Sequence, residues 1–503
     1  MKCRLRILSM IFMSYILSID QGTTSSRAIV FDEHANPIST EQKEHKQFYP
    51  HPGYVEHDPN EIWRNVEEIT SKAVKKIGWN KIKAIGITNQ RETIVAWDGK
   101  TGKVLANAIV WQCRRTTEII EQLIKDGYKD RFHQKTGLIL DAYFSGSKMK
   151  WLIKNDSKVQ QALKDNTLRF GTIDSFLINR MSGKHVTDVT NASRTLLFNL
   201  KDKKWDQELL DILEIPSWTL PDVIPSSTKN TERYWTRDHH NIPILGIAGD
   251  QQAALFGQNC YNVGDTKVTY GTGNFALTNI GSNYKISTQG LLTTAAWAIN
   301  DVAKTEYALE GAVFITGALI QWLRDELRII HQSSEVENLA KQSTDGGNLV
   351  IVPAFVCLGA PHWNQRARGS IFGMTRGTNR NDIAKASLEA IALQTYEIVN
   401  LLAEEAKTSI AAVRVDGGAC KNDFLMQIQA NLLQKAIERP KNVETTALGA
   451  GFLAGLGAGI WKSLDDLKKV QVIESKFEPD KNYPCERKIT FWKKAVSRSL
   501  DWE

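Results

Sequence analysis

Tyr15-Ile16-Leu17-Ser18-Ile19-Asp20-Gln21-Gly22-Thr23-Thr24-Ser25-Ser26-Arg27-Ala28-Ile29-Val30-Phe31-Asp32 is the stretch that decides how the chain is read. Two apolar runs flank a polar turn, and they read as strands joined by a hairpin containing a glycine. Between Asp20 and Arg27 the turn holds a carboxylate, a glycine, four hydroxyl residues and an arginine. Gly22 lets the backbone come close to a ligand. Backbone N–H groups and the hydroxyls of Thr23, Thr24 and Ser25 can cradle phosphate oxygens, and Arg27 can neutralise them. Asp20 is placed to hold a hydrated metal ion bound to those phosphates. An ordinary polar hairpin tip has a similar local composition, so the reading depends on the rest of the chain.

At 503 residues the chain is too long for one core, and two large domains are expected. The net charge of +7 is small for this length and forms no basic tail, so nucleic-acid binding is not implied. The six cysteines form no CxxC pair, which fits free thiols in a reducing cytoplasm. Met1-Lys2-Cys3-Arg4-Leu5-Arg6 and the apolar run after it have the outline of a signal peptide. That run passes directly into the strand carrying Asp20, with no small-residue cleavage site. Residues 1–12 are therefore read as an extension or a misassigned start, and no stretch approaches a membrane span.

Further along, Asp58-Pro59-Asn60-Glu61 reads as a helix start with a capping box, the helix running to about Lys76. Ile82–Thr88 reads as a buried strand ending at Asn89-Gln90-Arg91-Glu92, a polar cluster of the kind found where α/β sheets bind ligands. Arg91 and Glu92 fit a surface ion pair equally well on local grounds. Ala108–Gln112 reads as a strand leading to Trp111-Gln112-Cys113-Arg114-Arg115, with Trp111 either core or pocket wall. Tyr143-Phe144-Ser145 precedes a helix, and Asp188–Arg194 reads as a polar loop facing a cleft.

In Leu245–Leu255 an apolar strand stops at Asp250 and a helix begins; a carboxylate there suits a catalytic base or a helix cap. Lys267–Phe275 repeats the strand, glycine turn, strand pattern, with Gly271-Thr272-Gly273 in the place of Gly22-Thr23. Two such turns can clamp a polyphosphate from both sides and suggest two related half-domains. Glu310–Arg324 reads as a helix with Gly317 and Gln321 on one face, Asn348–Phe355 as a buried strand, and Asn381–Lys407 as a long helix. Val413–Gly418 reads as a strand ending in glycines that admit a nucleotide closely, followed by a helix from about Asn422. Gly451-x-x-x-Gly455 reads as helix packing within a soluble protein. P-loop, protein-kinase and early dinucleotide fingerprints are absent.

Asp20–Arg27, Gly86–Thr93, Trp111–Arg115, Gly249–Ala253, Tyr270–Gly273 and Asp416–Gly418, in this order, resemble the glycerol kinases, carbohydrate kinases with an actin-like ATPase fold. The resemblance runs from about Tyr15 to the C-terminus. It implies an α/β fold of two actin-like (ribonuclease-H-like) domains, each a mixed five-stranded sheet flanked by helices, with an active-site cleft between them. The expected division is 13–259 for glycerol and phosphate and 260–503 for nucleotide. By resemblance Arg91, Glu92, Tyr143, Asp250 and Gln251 bind glycerol hydroxyls, and Trp111 and Phe275 pack on its carbons. The nucleotide residues carried over are Thr23, Thr24, Ser25, Arg27, Thr272, Gly317, Gln321, Gly418 and Asn422. The implied reaction is phosphorylation of glycerol to sn-glycerol 3-phosphate by ATP and Mg2+. Asp250 acts as general base, and Asp20 and Asp250 hold the metal, partly through water. A cytoplasmic homodimer or homotetramer is the family expectation.

Departures from the family pattern are Ala142 for proline, His362 and Asn364 for tyrosine and aspartate, and Asn274 for cysteine. Thr231–Asn241 lacks the Gly-rich loop that binds a regulatory sugar bisphosphate in some members, so that inhibition is expected to be weak or absent. The competing readings are a pentulose kinase of the same fold, an actin-like ATPase module without an acceptor, and an inactive relative. The Asn89–Glu92 and Asp250–Gln252 clusters speak against the first, Asp250 with the aromatic and hydroxyl-binding set speaks against the second, and the presence of every polar residue the mechanism needs speaks against the third.

Overall fold

The computed structural model describes residues 14–344 and 348–502; the expected extension over 1–12, and Cys3 with it, lies outside the described residues. Strand β1 (Tyr15–Gln21) is buried along its length except at Asp20, which is half-buried. An apolar, β-branched strand covered on both faces is what a central sheet position requires. β1 turns at Gly22–Thr24 into antiparallel β2 (Ser25–Phe31), which pairs with antiparallel β3 (Pro37–Glu44). After helix α1 (Pro59–Val74), strand β4 (Ile82–Asn89) joins β1 in parallel. The hairpin β5 (Tyr234–Arg237) and β6 (His240–Gly249) then adds β6 in parallel to β4. The sheet order is β5-β6-β4-β1-β2-β3.

The second half repeats the scheme. β7 (Thr266–Tyr270), β8 (Asn274–Gly281) and β10 (Glu306–Val313) form an antiparallel meander, with β9 (Leu292–Trp297) added outside β10. β11 (Ala412–Asp416) lies parallel to β7, and β12 (Ala436–Pro440) parallel to β11. With β13 (Ile473–Phe477) at the edge, the order is β9-β10-β8-β7-β11-β12-β13. Stripped of edge strands, β3-β2-β1-β4-β6 and β10-β8-β7-β11-β12 are the same topology, which bears out the two related halves. The expected five strands per sheet are corrected to six and seven, because antiparallel edge strands extend each shared core.

Helix α2 (Asp250–Gly257) follows β6, and helix α6 (Thr445–Ala458) from the second half crosses onto the first sheet. Between them in sequence lie α3 (Gly317–Asp325), α4 (Arg380–Ala406) and α5 (Asp423–Leu433). α6 is buried on nearly every side, and its small residues permit backbone contact. A Cβ on Gly449 would lie 1.8 Å from the Ala253 carbonyl oxygen of α2, and one on Gly86 of β4 would lie 2.2 Å from Ala450 O. Gly451 and Gly455 face Phe31, Ile16 and Trp461, so the small-residue spacing serves packing within the chain. Among the described residues no helix is long and apolar enough to cross a membrane. Cys113, Cys260, Cys357, Cys420 and Cys485 are free thiols.

Several local expectations are corrected. Glu310 lies in strand β10, and the helix carrying Gly317 begins only at Gly317. The segment is buried on both faces, so it shows no period by which strand and helix can be told apart. Asp188–Arg194 is a buried helical turn, Val189–Ala192, capped by Asp188. The strand expected over Ala108–Gln112 ends at Ile109, because Cys113 N bonds back to Val110 O. The strand expected over Asn348–Phe355 is Val350–Val352. Asp58 caps α1, but the Glu61 carboxylate accepts the Lys46 amide (3.3 and 3.4 Å) instead of closing a capping box.

Backbone contact of this kind leaves no room for relaxation. Gly449→Ala is expected to cost about 3 kcal/mol, read as a fall in melting temperature. Gly377→Ala, whose nearest neighbour to a new Cβ is 3.8 Å away, is expected to leave it unchanged.

Candidate active site

Three parallel strands end in register on one side of the first sheet. Asp20 pairs with Thr88, Gln21 with Asn89, and Gly249 with Asn89. The residues at or just beyond those ends are Asp20, Arg91, Glu92 and Asp250, and the topology alone brings them together.

Arg91 is their centre. Its Nε lies 3.1 Å from Asp250 Oδ1. Nη1 donates to Glu310 Oε2 (2.5 Å) and Nη2 to Glu310 Oε1 (3.0 Å), a bidentate pair across the two halves. Nη1 also reaches Gln252 Oε1 (3.3 Å) and Nη2 reaches Tyr143 Oη (3.4 Å). Arg194 donates to Glu92 Oε1 (2.7 Å) and Glu310 Oε1 (3.0 Å), closing a four-charge ring. All four side chains are buried. Burial alone would raise the Glu310 carboxyl, but Arg194 and Arg91 hold it down at about 2. Burial raises Glu92 against the same two arginines.

Glu92 has φ of +61°, and the Thr93 amide bonds to Arg91 O across it (2.7 Å). That is a γ-turn of the rarer hand at a residue with a Cβ, a strained conformation held by surrounding contacts. It turns the chain so that Arg91 and Glu92 both project into the ring. Tyr143 is held from below: its amide donates to Asp141 Oδ1 (2.8 Å), its carbonyl accepts from the buried Lys148, and Asp141 is paired with Arg114 (2.6 Å). Trp111 meets Tyr143 edge to face at 5.6 Å, and its Nε1 donates to Thr23 Oγ1 (2.9 Å). Phe275 lies under the Arg91 guanidinium at 5.9 Å. Polar groups and aromatic faces thus converge on one place.

Asp250 begins α2 with its side chain 29% exposed, the one carboxylate of this cluster facing open space. Burial raises its pKa, opposed by Arg91, the Gln251 amide and Lys267. Gln251 is fixed by the buried Lys267, whose Nζ donates to Gln251 Oε1 (2.5 Å), Thr269 Oγ1 (2.8 Å) and Phe275 O (3.3 Å). Asp20 is pushed up to about 7 by burial, with Asp250 and Glu444 adding to the rise and Arg27 opposing it.

Of the hairpin hydroxyls, Thr24 is exposed and Ser25 Oγ accepts from Gln42 (2.9 Å). Arg27 is paired with Glu444 at the start of α6 and with Gln42 (2.9 Å). On the second sheet, Thr272 is exposed, and the amides of Thr316, Gly317 and Ala318 bond to the Gly271 and Thr272 carbonyls at 3.0 to 3.1 Å. The start of α3 therefore supports the Gly271–Gly273 turn, and Gln321 lies exposed one turn along it. Gly418 follows β11 with nothing within 4 Å of a Cβ, and Asn422 caps α5 by accepting from the Leu425 amide (2.8 Å).

Arg91, Glu92, Trp111, Tyr143, Asp250, Gln251 and Phe275 form one linked cluster, with Thr23 joined through Trp111. The remaining nucleotide candidates line the ends of β2, β7 and β11 and the start of α3. Glu310, Arg194 and Lys267 were not anticipated. Glu310 had one signal, a lone carboxylate inside the apolar run Tyr307–Val313. Arg194→Met strips one cation from the ring and is expected to cost about 3–5 kcal/mol in chemical denaturation.

Residues 15–257 match the N-terminal domain of the FGGY family of carbohydrate kinases, and residues 266–458 match its C-terminal domain. The chain is 51% identical to glycerol kinase 2 of Thermotoga maritima over 498 residues, covering 98% of this chain and 100% of that one. A crystal structure of Plasmodium falciparum glycerol kinase with ADP superposes with a TM-score of 0.90 at 38% identity, covering 97% of this chain and 98% of that one. A ligand-bound xylulose kinase from Lactobacillus acidophilus gives 0.85 at 25% identity, covering 96% and 98%. With both family domains matched in order along the chain, the protein belongs to the FGGY family of carbohydrate kinases.

Proposed function

We propose that the chain phosphorylates glycerol at a terminal hydroxyl with ATP, releasing sn-glycerol 3-phosphate and ADP. The observation that carries the reading is Asp250, a partly exposed carboxylate ion-paired with a buried arginine and bordered by Tyr143, Glu92, Gln251 and two aromatic rings. A small triol needs donors and acceptors at each hydroxyl and an apolar wall for its carbons, and such a site rejects analogues lacking a hydroxyl. The 51% identity to a named glycerol kinase, against 25% to a xylulose kinase, favours glycerol over a pentulose.

In this reading Arg91, Glu92, Tyr143, Asp250 and Gln251 hold the glycerol hydroxyls, with Trp111 and Phe275 against its carbons. Asp250 accepts the proton of the attacking hydroxyl as its oxygen meets the γ-phosphorus in line. Thr23, Thr24, Ser25 and Thr272 donate to phosphate oxygens, and Arg27 exchanges Glu444 for the transferring group. Gly317, Gln321, Gly418 and Asn422 border the nucleotide. Magnesium fits the donors present: among the described residues no cluster of three His, Cys, Asp or Glu side chains exists to cage a metal. Two facing carboxylates, with Asp20 raised to about 7, suit an ion held mainly by water and phosphate. Asp20 and Asp250 would hold it, and it would supply charge neutralisation to the β- and γ-phosphates.

Residues 13–259 and 260–503 serve as the two closing domains, excluding water from the cleft. A cytoplasmic homodimer or homotetramer, without strong sugar-bisphosphate inhibition, completes the proposal.

ADP release with MgATP across glycerol, dihydroxyacetone, xylulose, ribulose and no acceptor tests it. Turnover led by glycerol supports the reading; acceptor-independent release or a pentulose preference overturns it. Asp250→Asn is expected to lower kcat by about 10²-fold or more, and retention of a tenth of the turnover removes the general-base role. Because burial raises Asp250, the acid limb of kcat/KM for glycerol is expected above the ordinary aspartate value near 3.8, with activity gained as pH rises through it.

A further inference from the structure

Glu310 stands apart from the rest of the site. It is the second half's contribution to a charge cluster otherwise built on the first, it is fully buried, and the reaction outlined above gives it no role. A carboxylate serving only to glue the halves needs one arginine. Glu310 holds two, and it grips Arg91 end-on through both Nη atoms. A guanidinium gripped along that edge has its plane fixed, and its Nε stands 3.1 Å from Asp250 Oδ1.

We propose that Glu310 is a positioning residue: by clamping both Nη atoms of Arg91 it sets where the Arg91 guanidinium stands against Asp250 and makes the reacting carboxylate's surroundings depend on where the second domain sits. The inference rests on the reading of Asp250 as the base. The groups facing Asp250 are Arg91 beyond β4, Asp20 on β1, Lys267 on β7, Glu310 on β10 and the Gln251 amide of its own helix. Among these, Glu310 offsets the Arg91 charge that would otherwise fall on Asp250 and Glu92. With Glu310 neutral, the clamp on the Nη atoms loosens and Arg91 is free to turn toward those two carboxylates. Because Glu310 lies on β10 and Arg91 beyond β4, the clamp forms only when the halves are apposed, so the acceptor site is completed by the same approach that closes the cleft.

The test compares wild type with Glu310→Gln in full-length enzyme. Wild type must first turn over glycerol; if it does not, the functional reading fails and not this one. Glu310→Gln is expected to lower kcat/KM for glycerol by about 10–100-fold, with most of the loss in kcat. ADP affinity, measured by fluorescence titration, is expected within about twofold of wild type. An unchanged kcat and KM for glycerol overturn the proposal. Equal losses of glycerol and ADP binding also overturn it, since they indicate a structural role alone. Should Glu310→Gln not fold, Glu310→Asp decides: its shortened carboxylate reaches one Nη atom at most. A weakened glycerol kcat/KM at constant ADP affinity then supports positioning, and wild-type kinetics exclude it.

Discussion

The bidentate pair between Arg91 and Glu310 is the interaction on which the site depends. Burying two arginines and two glutamates together costs several kcal/mol per ion before any attraction is counted, and the ring repays that only through geometry. Every member is therefore bound by at least one partner of opposite sign, and Arg91 commits both Nη atoms to Glu310 while its Nε stands 3.1 Å from Asp250. A merely hydrophobic seam would join the halves as firmly. What the ions add is direction, since a guanidinium fork accepts a carboxylate in few orientations. The price is that one missing charge leaves the others stranded in a medium that cannot solvate them.

Around that ring the fold is a duplication joined by α6. The two meanders with their parallel additions each place a glycine turn at the end of the central strand of their sheet. α6 belongs to the second half by sequence yet rests on β1, β4, β6 and α2 of the first, with backbone close enough that Ser18 Oγ donates to Ala447 O at 2.5 Å. At its start, Glu444 pairs with Arg27 of the hairpin and Thr445 bonds to Asp416 of β11. A displacement of α6 is thus felt both at the β1–β2 hairpin and at the end of β11.

Much of this was legible in the sequence because it is local. Asp20 and Asp250 each stand where an apolar run stops, and a carboxylate at such a point is conspicuous in one dimension. The hairpin, the repeated glycine turn and the start of α2 follow from neighbours a few residues apart. Glu310 was not legible as a site residue, since its partner Arg91 is 219 residues away and no local pattern encodes that distance. Its strand was misread for a related reason: Tyr307–Val313 is buried on both faces, and uniform burial erases the alternation that identifies a strand. The extra edge strands were missed for two reasons: β5 and β13 are short and largely exposed, so they resemble loops until a partner strand is known, whereas β9 is buried throughout and shows no alternation.

The site also departs from what stability alone would select. Glu92 sits at positive φ in a strained turn, Lys267 is buried and lowered to about 8, and Asp20 is raised to about 7 while facing another carboxylate. None of these helps the chain fold. Each fixes a charge or a direction that water would otherwise blur, so that less reorganisation remains when a polyanion and a small polyol enter. The cost is borne by the cores on either side, where continuous apolar strands and a nearly fully buried α6 supply the surplus. The order of dependence therefore runs from the α6 contact to the apposition of the halves, from there to the Arg91–Glu310 clamp, and from the clamp to the aim of Asp250.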